Sequence, residues 1–571
     1  MLFAVVLLTA AAASLAFDEP REFRGPHDII VVPFQNELDG VDAVTVGGWF
    51  YPRRKGEQIW ISRGMPEIGP QGERFFRPRP DWVNFVVGTD RHGFLMGTIN
   101  GNGAMPFVHV TVQEIRINTW HQVAVVKDAH GYQKFYVNGT LVHTDRESTW
   151  APKVHPFRDT AAGEPIRVSV PLGGLVGEVW VHARELSADE IRQDFLAKRD
   201  RYEPAPAPRV VALREMDRAP AAGLWEQPLD ATSWPRIRAR IRAGMDAIFG
   251  VPPRDPWAHA ERGPLDARIV SEDRFGGYVR RKVAIPVQEG DRMLAWLLVP
   301  DDVAVVDPYE KRPAVICFYG TTAGAGKDTT VGLSGPKPGT PPRKNAAFAL
   351  DMVRAGFVAL APDWLRDGER IAPGRAPYDT EDFYERFPDW SIHGKDAWDT
   401  SRAIDYLQSL PFVDRAKIGM VGHSYGGHST IFAAAFDPRI RVAVANGPVS
   451  EFVHHGMHWA VPGGSRHSQS LPRLRPYILA HEPPPITFYE VTALIAPRPL
   501  LVGQAVGERR PFEEENYAAV AEVYRALGVP ERVRYHWYAG DHDFPPAARK
   551  AAVEWLEKWF TALEPVHVMA K

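Results

Sequence analysis

The chain has one cysteine in 571 residues, Cys317, so no intramolecular disulfide holds the fold together. That cysteine lies inside the apolar run AVICFYG, where a buried thiol acts as a small hydrophobe rather than as a nucleophile. No cysteine stands close behind the N-terminal apolar run either, so a site for N-terminal lipid attachment is missing. Charge of one sign is equally scarce: 67 Lys and Arg face 70 Asp and Glu, a net charge of -3 that creates almost no long-range field. Nothing in that balance points to a nucleic-acid or polyanion partner. Beyond the N-terminus no segment reaches the ~18 apolar residues of a transmembrane helix, which argues against stable membrane insertion of the mature chain.

What the chain has first is MLFAVVLLTAAAASLA, an apolar run of signal-peptide length ending in the small-x-small pattern Ser14-Leu15-Ala16. The expectation is a signal peptide over residues 1–16, cleaved after Ala16, and a secreted or periplasmic protein. The run carries no Lys or Arg, so an uncleaved anchor is the alternative. A length of 571 residues implies at least two cores.

Short apolar strands separated by Gly, Asn and Asp turns fill residues 26–197 and predict an all-β sandwich. WHQVAVVKDAHGYQKFYVNGTLVHTD (120–145) reads as three strands with a tight Asn138-Gly139 hairpin, which explains the sequon Asn138-Gly139-Thr140 better than glycosylation does. GGLVGEVWVHARELSADEI gives a last strand and a helix capped by Ser187 and Glu190. These segments resemble the laminin-G-like, concanavalin A-like jelly rolls, a resemblance that implies either carbohydrate binding or a scaffold. The Pro- and Ala-rich RYEPAPAPR marks a linker, set at 198–230, before a second domain at 231–565.

In the second domain apolar strands alternate with amphipathic helices, the signature of a mostly parallel, doubly wound α/β sheet. Between the strand KIGMV and the helix beginning GGHST stands Gly422-His423-Ser424-Tyr425-Gly426, a G-x-S-x-G at a strand-to-helix turn. Ser424 is the candidate nucleophile, because a serine raised on such a turn presents its hydroxyl beside free helix amides. A serine hydroxyl needs an imidazole to take its proton, and of 20 histidines His542 stands in the turn GDHDFP after the last strand, downstream of the serine.

GHSYGG, HGKDAWDTSRAIDYL, APRPLLVG and GDHDF together resemble the α/β-hydrolase superfamily, in particular its dienelactone-hydrolase-like and acetylxylan-esterase-like branch. The resemblance implies ester hydrolysis through an acyl-enzyme, without metal or organic cofactor. It places the acid that orients His542 after the strand PLLVGQA, nominating Glu508, with Glu513 in the next helix and Glu451 in GPVSEF as alternatives. Tyr425 and the Gly320-Thr321 turn become the oxyanion-hole residues, with Thr321 favoured. Trp364, His455 and Trp459 are candidates to line the substrate pocket, and Asp363 and Arg366 reach substrate or form ion pairs. His454 and His458, four apart, lack the carboxylate of a metal motif.

GTTAGAGKDTT fails as a phosphate loop, since five residues separate Gly320 from Gly326 where four are needed and Asp328 replaces the magnesium-binding Ser or Thr. The function expected is a secreted serine esterase acting on carboxylic esters, with acylated polysaccharide such as acetylated xylan as one substrate class. A prolyl-oligopeptidase-like serine peptidase and a catalytically silent carbohydrate-binding protein are the rivals.

Overall fold

A computed structural model describes residues 4–9, 12–25, 28–32, 38, 41–56, 58–64, 85–90, 93–99, 109–144, 165–206, 225, 228–250, 265–305, 311–322, 324–335, 339–343, 345–448, 452, 470–480, 482–508 and 513–562. The chain forms two compact units, one chiefly Met1–Leu213, the other chiefly Arg214–Ala460 with Pro483–Lys571. His454, His455, His458, Trp459 and Glu451 lie outside the described residues.

The first unit is a sandwich of a seven-stranded and a six-stranded sheet, all pairings antiparallel among the described strands. Alternation along the strands sends one set of side chains inward, where Phe50 stacks on Trp60 with ring centroids 4.9 Å apart in a core that includes Phe85, Phe135 and Val168. Each fully buried side chain of this size contributes about 1.5–3 kcal/mol. The hairpin expected at Asn138-Gly139 is present, with φ of 50° and 72° at the two residues. Asn138 is buried because its amide accepts from the Gln122 N–H at 2.9 Å and donates to the Ala205 carbonyl at 2.8 Å. Helix α1 (Ala188–Tyr202) opens with the Ser187–Glu190 capping box and runs five residues into the stretch read as linker. Of the N-terminal apolar run, Ala4–Thr9 form one strand and the residues from Ala12 on belong to a second, Ala12–Phe23, which pairs with Gly174–His182.

The second unit opens with helix α2 (Trp234–Phe249), which stops at Gly250. A nine-stranded sheet follows: β1 (Arg268–Phe275), β2 (Tyr278–Gln288), β3 (Asp291–Pro300), β4 (Arg312–Phe318), β5 (Val358–Pro362), β6 (Val413–His423), β7 (Ile440–Asn446), β8 (Leu500–Ala505) and β9 (Val533–Tyr538). Their order is β1-β2-β3-β5-β4-β6-β7-β8-β9. The pairings from β5 through β9 are parallel, and the first three strands form an antiparallel meander that the repeating strand-helix pattern did not reveal. Helices α3 (Phe348–Arg354), α4 (Ile392–Ser409), α5 (Tyr425–Phe436) and α6 (Glu513–Ala526) lie in the crossovers, and α7 (Pro546–Ala562) follows the last strand. β4 and β6 are neighbours and parallel, so the residues after their carboxyl ends meet at the point where strand order reverses, the place such sheets offer to ligands. No helix among the described residues is long and apolar enough to cross a membrane.

Candidate active site

Ser424 sits between β6 and α5 with φ 59° and ψ −120°, a conformation that costs a β-carbon-bearing residue about 1–3 kcal/mol. The residues two before and two after it are glycine because nothing larger fits. A Cβ on Gly426 would lie 2.0 Å from the Phe318 carbonyl oxygen, and one on Gly422 would lie 2.0 Å from the Gly426 carbonyl oxygen. The Ser424 N–H donates to the Asn446 carbonyl at 2.9 Å, fastening the turn to the end of β7.

The Ser424 hydroxyl lies 2.7 Å from Nε2 of His542, and Nδ1 of His542 lies 2.7 Å from Oε2 of Glu508. The protonation this line implies is a hydroxyl donating to Nε2 and Nδ1–H donating to the carboxylate. Glu508, at the end of a single turn of 3-10 helix after β8, is the carboxylate brought to His542. Glu513 is instead buried in the first turn of α6, where it accepts from the Tyr517 hydroxyl at 2.9 Å.

The turn that carries His542 is held from below. The Asp543 carbonyl accepts from the Tyr538 hydroxyl at 2.7 Å and from the Asn446 amide at 3.0 Å. Over the imidazole lies His423, ring centroids 4.9 Å apart, whose Nδ1 accepts from the Asn446 amide at 2.9 Å. Burial, reinforced by the charge of His542, holds His423 well below the ordinary histidine range. A neutral His423 leaves His542 free to become imidazolium without a second positive charge against it.

Gly320, after β4, presses on the serine: a Cβ there would lie 2.9 Å from the Ser424 Cβ. Thr321 follows, exposed, and Tyr425 begins α5, whose first amides have no acceptor within the helix. The two peptides read from sequence as oxyanion donors therefore flank the nucleophile.

Trp364, read from sequence as a substrate contact, lies inside the protein at 3% exposure. Its ring stacks on Tyr425 at 4.1 Å and on Tyr378 at 5.3 Å, and two aromatic neighbours leave it little surface to offer. Around it stand buried aspartates, of which sequence reasoning had singled out Asp363 alone, for substrate or an ion pair. Asp396 accepts from the Tyr425 hydroxyl at 2.7 Å, Asp363 from Tyr319 at 3.2 Å and Asp367 from Tyr378 at 3.4 Å. Burial pushes Asp396 up to about 7 and Asp367 up to about 6.

The counter-charges are equally internal. Lys327, in the loop that resembles a phosphate loop, reaches Asp363 at 2.8 Å, so Asp363 belongs to an ion pair. Arg366 pairs with Asp382 at 2.6 Å. The one available signal was in HGKDAWD, where charged residues occupy the face of α4 that the helix buries.

Residues 25–192 match the concanavalin A-like lectin/glucanases superfamily, and residues 237–555 match the Abhydrolase family. A Bacillus subtilis (strain 168) protein named "Putative hydrolase YtaP" is 28% identical over 233 residues, covering 38% of this chain and 69% of that protein. A protein named carbohydrate esterase MZ0003, from an unknown prokaryotic organism, is 27% identical over 184 residues, which span 27% of this chain and 41% of its own length. Among solved structures, a glucuronoyl esterase from Solibacter usitatus is 20% identical with a TM-score of 0.44, over 58% of this chain and 94% of that one. The chain thus carries a concanavalin A-like domain at its N-terminal end and, through residues 237–555, belongs to the Abhydrolase family.

Proposed function

We propose that the protein is a serine esterase that cleaves carboxylic esters through an acyl-enzyme. The observation that carries this reading is the unbroken line Glu508–His542–Ser424, with both contacts at 2.7 Å and the serine on a strained turn. In the first half-reaction the Ser424 oxygen attacks the ester carbonyl while His542 takes its proton. The carbonyl oxygen, now negative, is held by the peptide N–H groups of Tyr425 and of the Gly320-Thr321 turn. Collapse of the tetrahedral intermediate expels the alcohol, which receives the proton from His542. Water then repeats the sequence on the acyl-serine and releases the acid. Glu508 orients His542 and stabilises the imidazolium throughout.

An acylated polysaccharide such as acetylated xylan is the substrate class we favour. Support comes from the concanavalin A-like domain beside the hydrolase and from the relative named carbohydrate esterase. The test is release of acetate from acetylated xylan, alongside cleavage of dipeptidyl nitroanilides. Acetate release without amide cleavage supports the esterase; the converse replaces it with a peptidase.

Export rests on residues 1–16. Cleavage after Ala16 leaves Phe17–Phe23 in the chain, of which Arg21–Phe23 pair with Gly174–Val176, and N-terminal sequencing of the exported protein checks the cleavage point.

A further inference from the structure

The two peptides that flank Ser424 come from different strands, and each is adjacent to a tyrosine that meets the same residue. Tyr319 precedes Gly320; its hydroxyl receives a hydrogen bond from the Trp364 backbone N–H at 3.4 Å, and its ring is tilted against the indole with centroids 5.7 Å apart. Tyr425 contributes its own N–H, and its ring lies nearly parallel to the indole, 14° off at 4.1 Å. Each hydroxyl ends on a buried aspartate, Asp363 for Tyr319 and Asp396 for Tyr425, so neither ring turns freely. Tyr378 closes the far side of the indole, 20° from parallel. The indole is thus a spacer locked between the chain after β4 and the start of α5.

We infer that Trp364 is a positioning residue, setting the separation of the two oxyanion-binding peptides without touching substrate. The inference rests on the esterase reading. An amide aimed at a developing oxyanion acts only in the transition state, so loosening the spacer lowers kcat and leaves KM alone. A substrate contact would behave in the opposite way.

The experiment compares the full chain with Trp364→Phe and Trp364→Leu in p-nitrophenyl acetate hydrolysis, with rates divided by the serine titrated to completion with a fluorophosphonate, so that unfolded chains do not count. Misplacing reacting groups by about 1 Å costs on the order of 100-fold. Trp364→Leu is therefore expected to lose roughly 30-fold or more in kcat with KM within about twofold, and Trp364→Phe, which keeps a flat ring between the tyrosines, to recover most of it. A raised KM with unchanged kcat, or unchanged values for both variants, overturns the inference. A parent chain that neither turns over ester nor takes up the probe overturns the esterase reading and this inference with it.

Discussion

Glu508 Oε2 and His542 Nδ1 are 2.7 Å apart, although the two residues come from the turns after different strands, β8 and β9. The pairing fixes which imidazole nitrogen faces the serine. Glu508→Ala is expected to lower kcat on p-nitrophenyl acetate by about 10²–10⁴, and Glu508→Gln by a similar factor because an amide favours the wrong tautomer. Glu513→Gln, removed from His542, should stay within about twofold of the parent. Steady-state kinetics on the three variants checks the assignment, and a deficit in Glu513→Gln matching that of Glu508→Ala would undo it.

The tight turn at the nucleophile gives a stability prediction. Gly426→Ala places a methyl group 2.0 Å from the Phe318 carbonyl oxygen, between two backbone segments that cannot both yield. A loss of about 1–3 kcal/mol or more is expected. Gly276→Ala, whose Cβ meets nothing within 4 Å, should change stability by less than about 0.5 kcal/mol. Urea unfolding followed by tryptophan fluorescence distinguishes the two.

Asp396 gives a pH dependence of known sign. Burial raises its carboxyl to about 7 from 3.8, with Asp399 adding to the rise and the Tyr425 hydroxyl and Arg370 opposing it. Between pH 4 and 7 the folded chain therefore holds a proton that the unfolded chain has released, and stability falls as pH rises through that window. Asp396→Asn cannot ionise. Relative to the parent, the variant should gain stability as pH rises from 4 to 7, by at most about 1.4 kcal/mol per pH unit, and keep that gain above pH 7. Melting temperatures of both proteins across that range measure the difference; curves that stay parallel contradict a raised Asp396.

In the sandwich, Asn138→Ala removes two buried hydrogen bonds, from Gln122 N–H and to the Ala205 carbonyl, at a position of positive φ. Destabilisation of about 2 kcal/mol or more is expected, read as a lower unfolding midpoint of the first unit.

Much of this was legible in the sequence, for identifiable reasons. Strand and helix periods differ, so the all-β sandwich and the α/β unit separated on pattern, while the jelly-roll reading of the first came from resemblance. Ser424 and His542 were nominated because each occupies a turn after a recognisable strand, and Glu508 because the resemblance places an acid after PLLVGQA; the fold brings the three together. Strands β1–β3 were less visible, since β1 is exposed along its whole length and carries charge at four of eight positions, leaving little alternation to read. The support behind the oxyanion peptides was hidden for another reason. Asp367 and Asp396 are residues that composition assigns to the surface, and only the fold shows them buried against the Tyr378 and Tyr425 hydroxyls, with the Lys327–Asp363 ion pair buried as well. Trp364 was misplaced on the same account, because an aromatic residue beyond a strand end looks like a pocket wall until its two stacking partners are known.

The measurement closest to the central claim is p-nitrophenyl acetate hydrolysis by the parent chain, Ser424→Ala and His542→Ala under one set of conditions. The parent should turn over, and each variant should lose a factor of about 10³ or more in kcat. Turnover in Ser424→Ala equal to that of the parent, or a parent inactive on acetyl and longer acyl esters alike, would contradict the account.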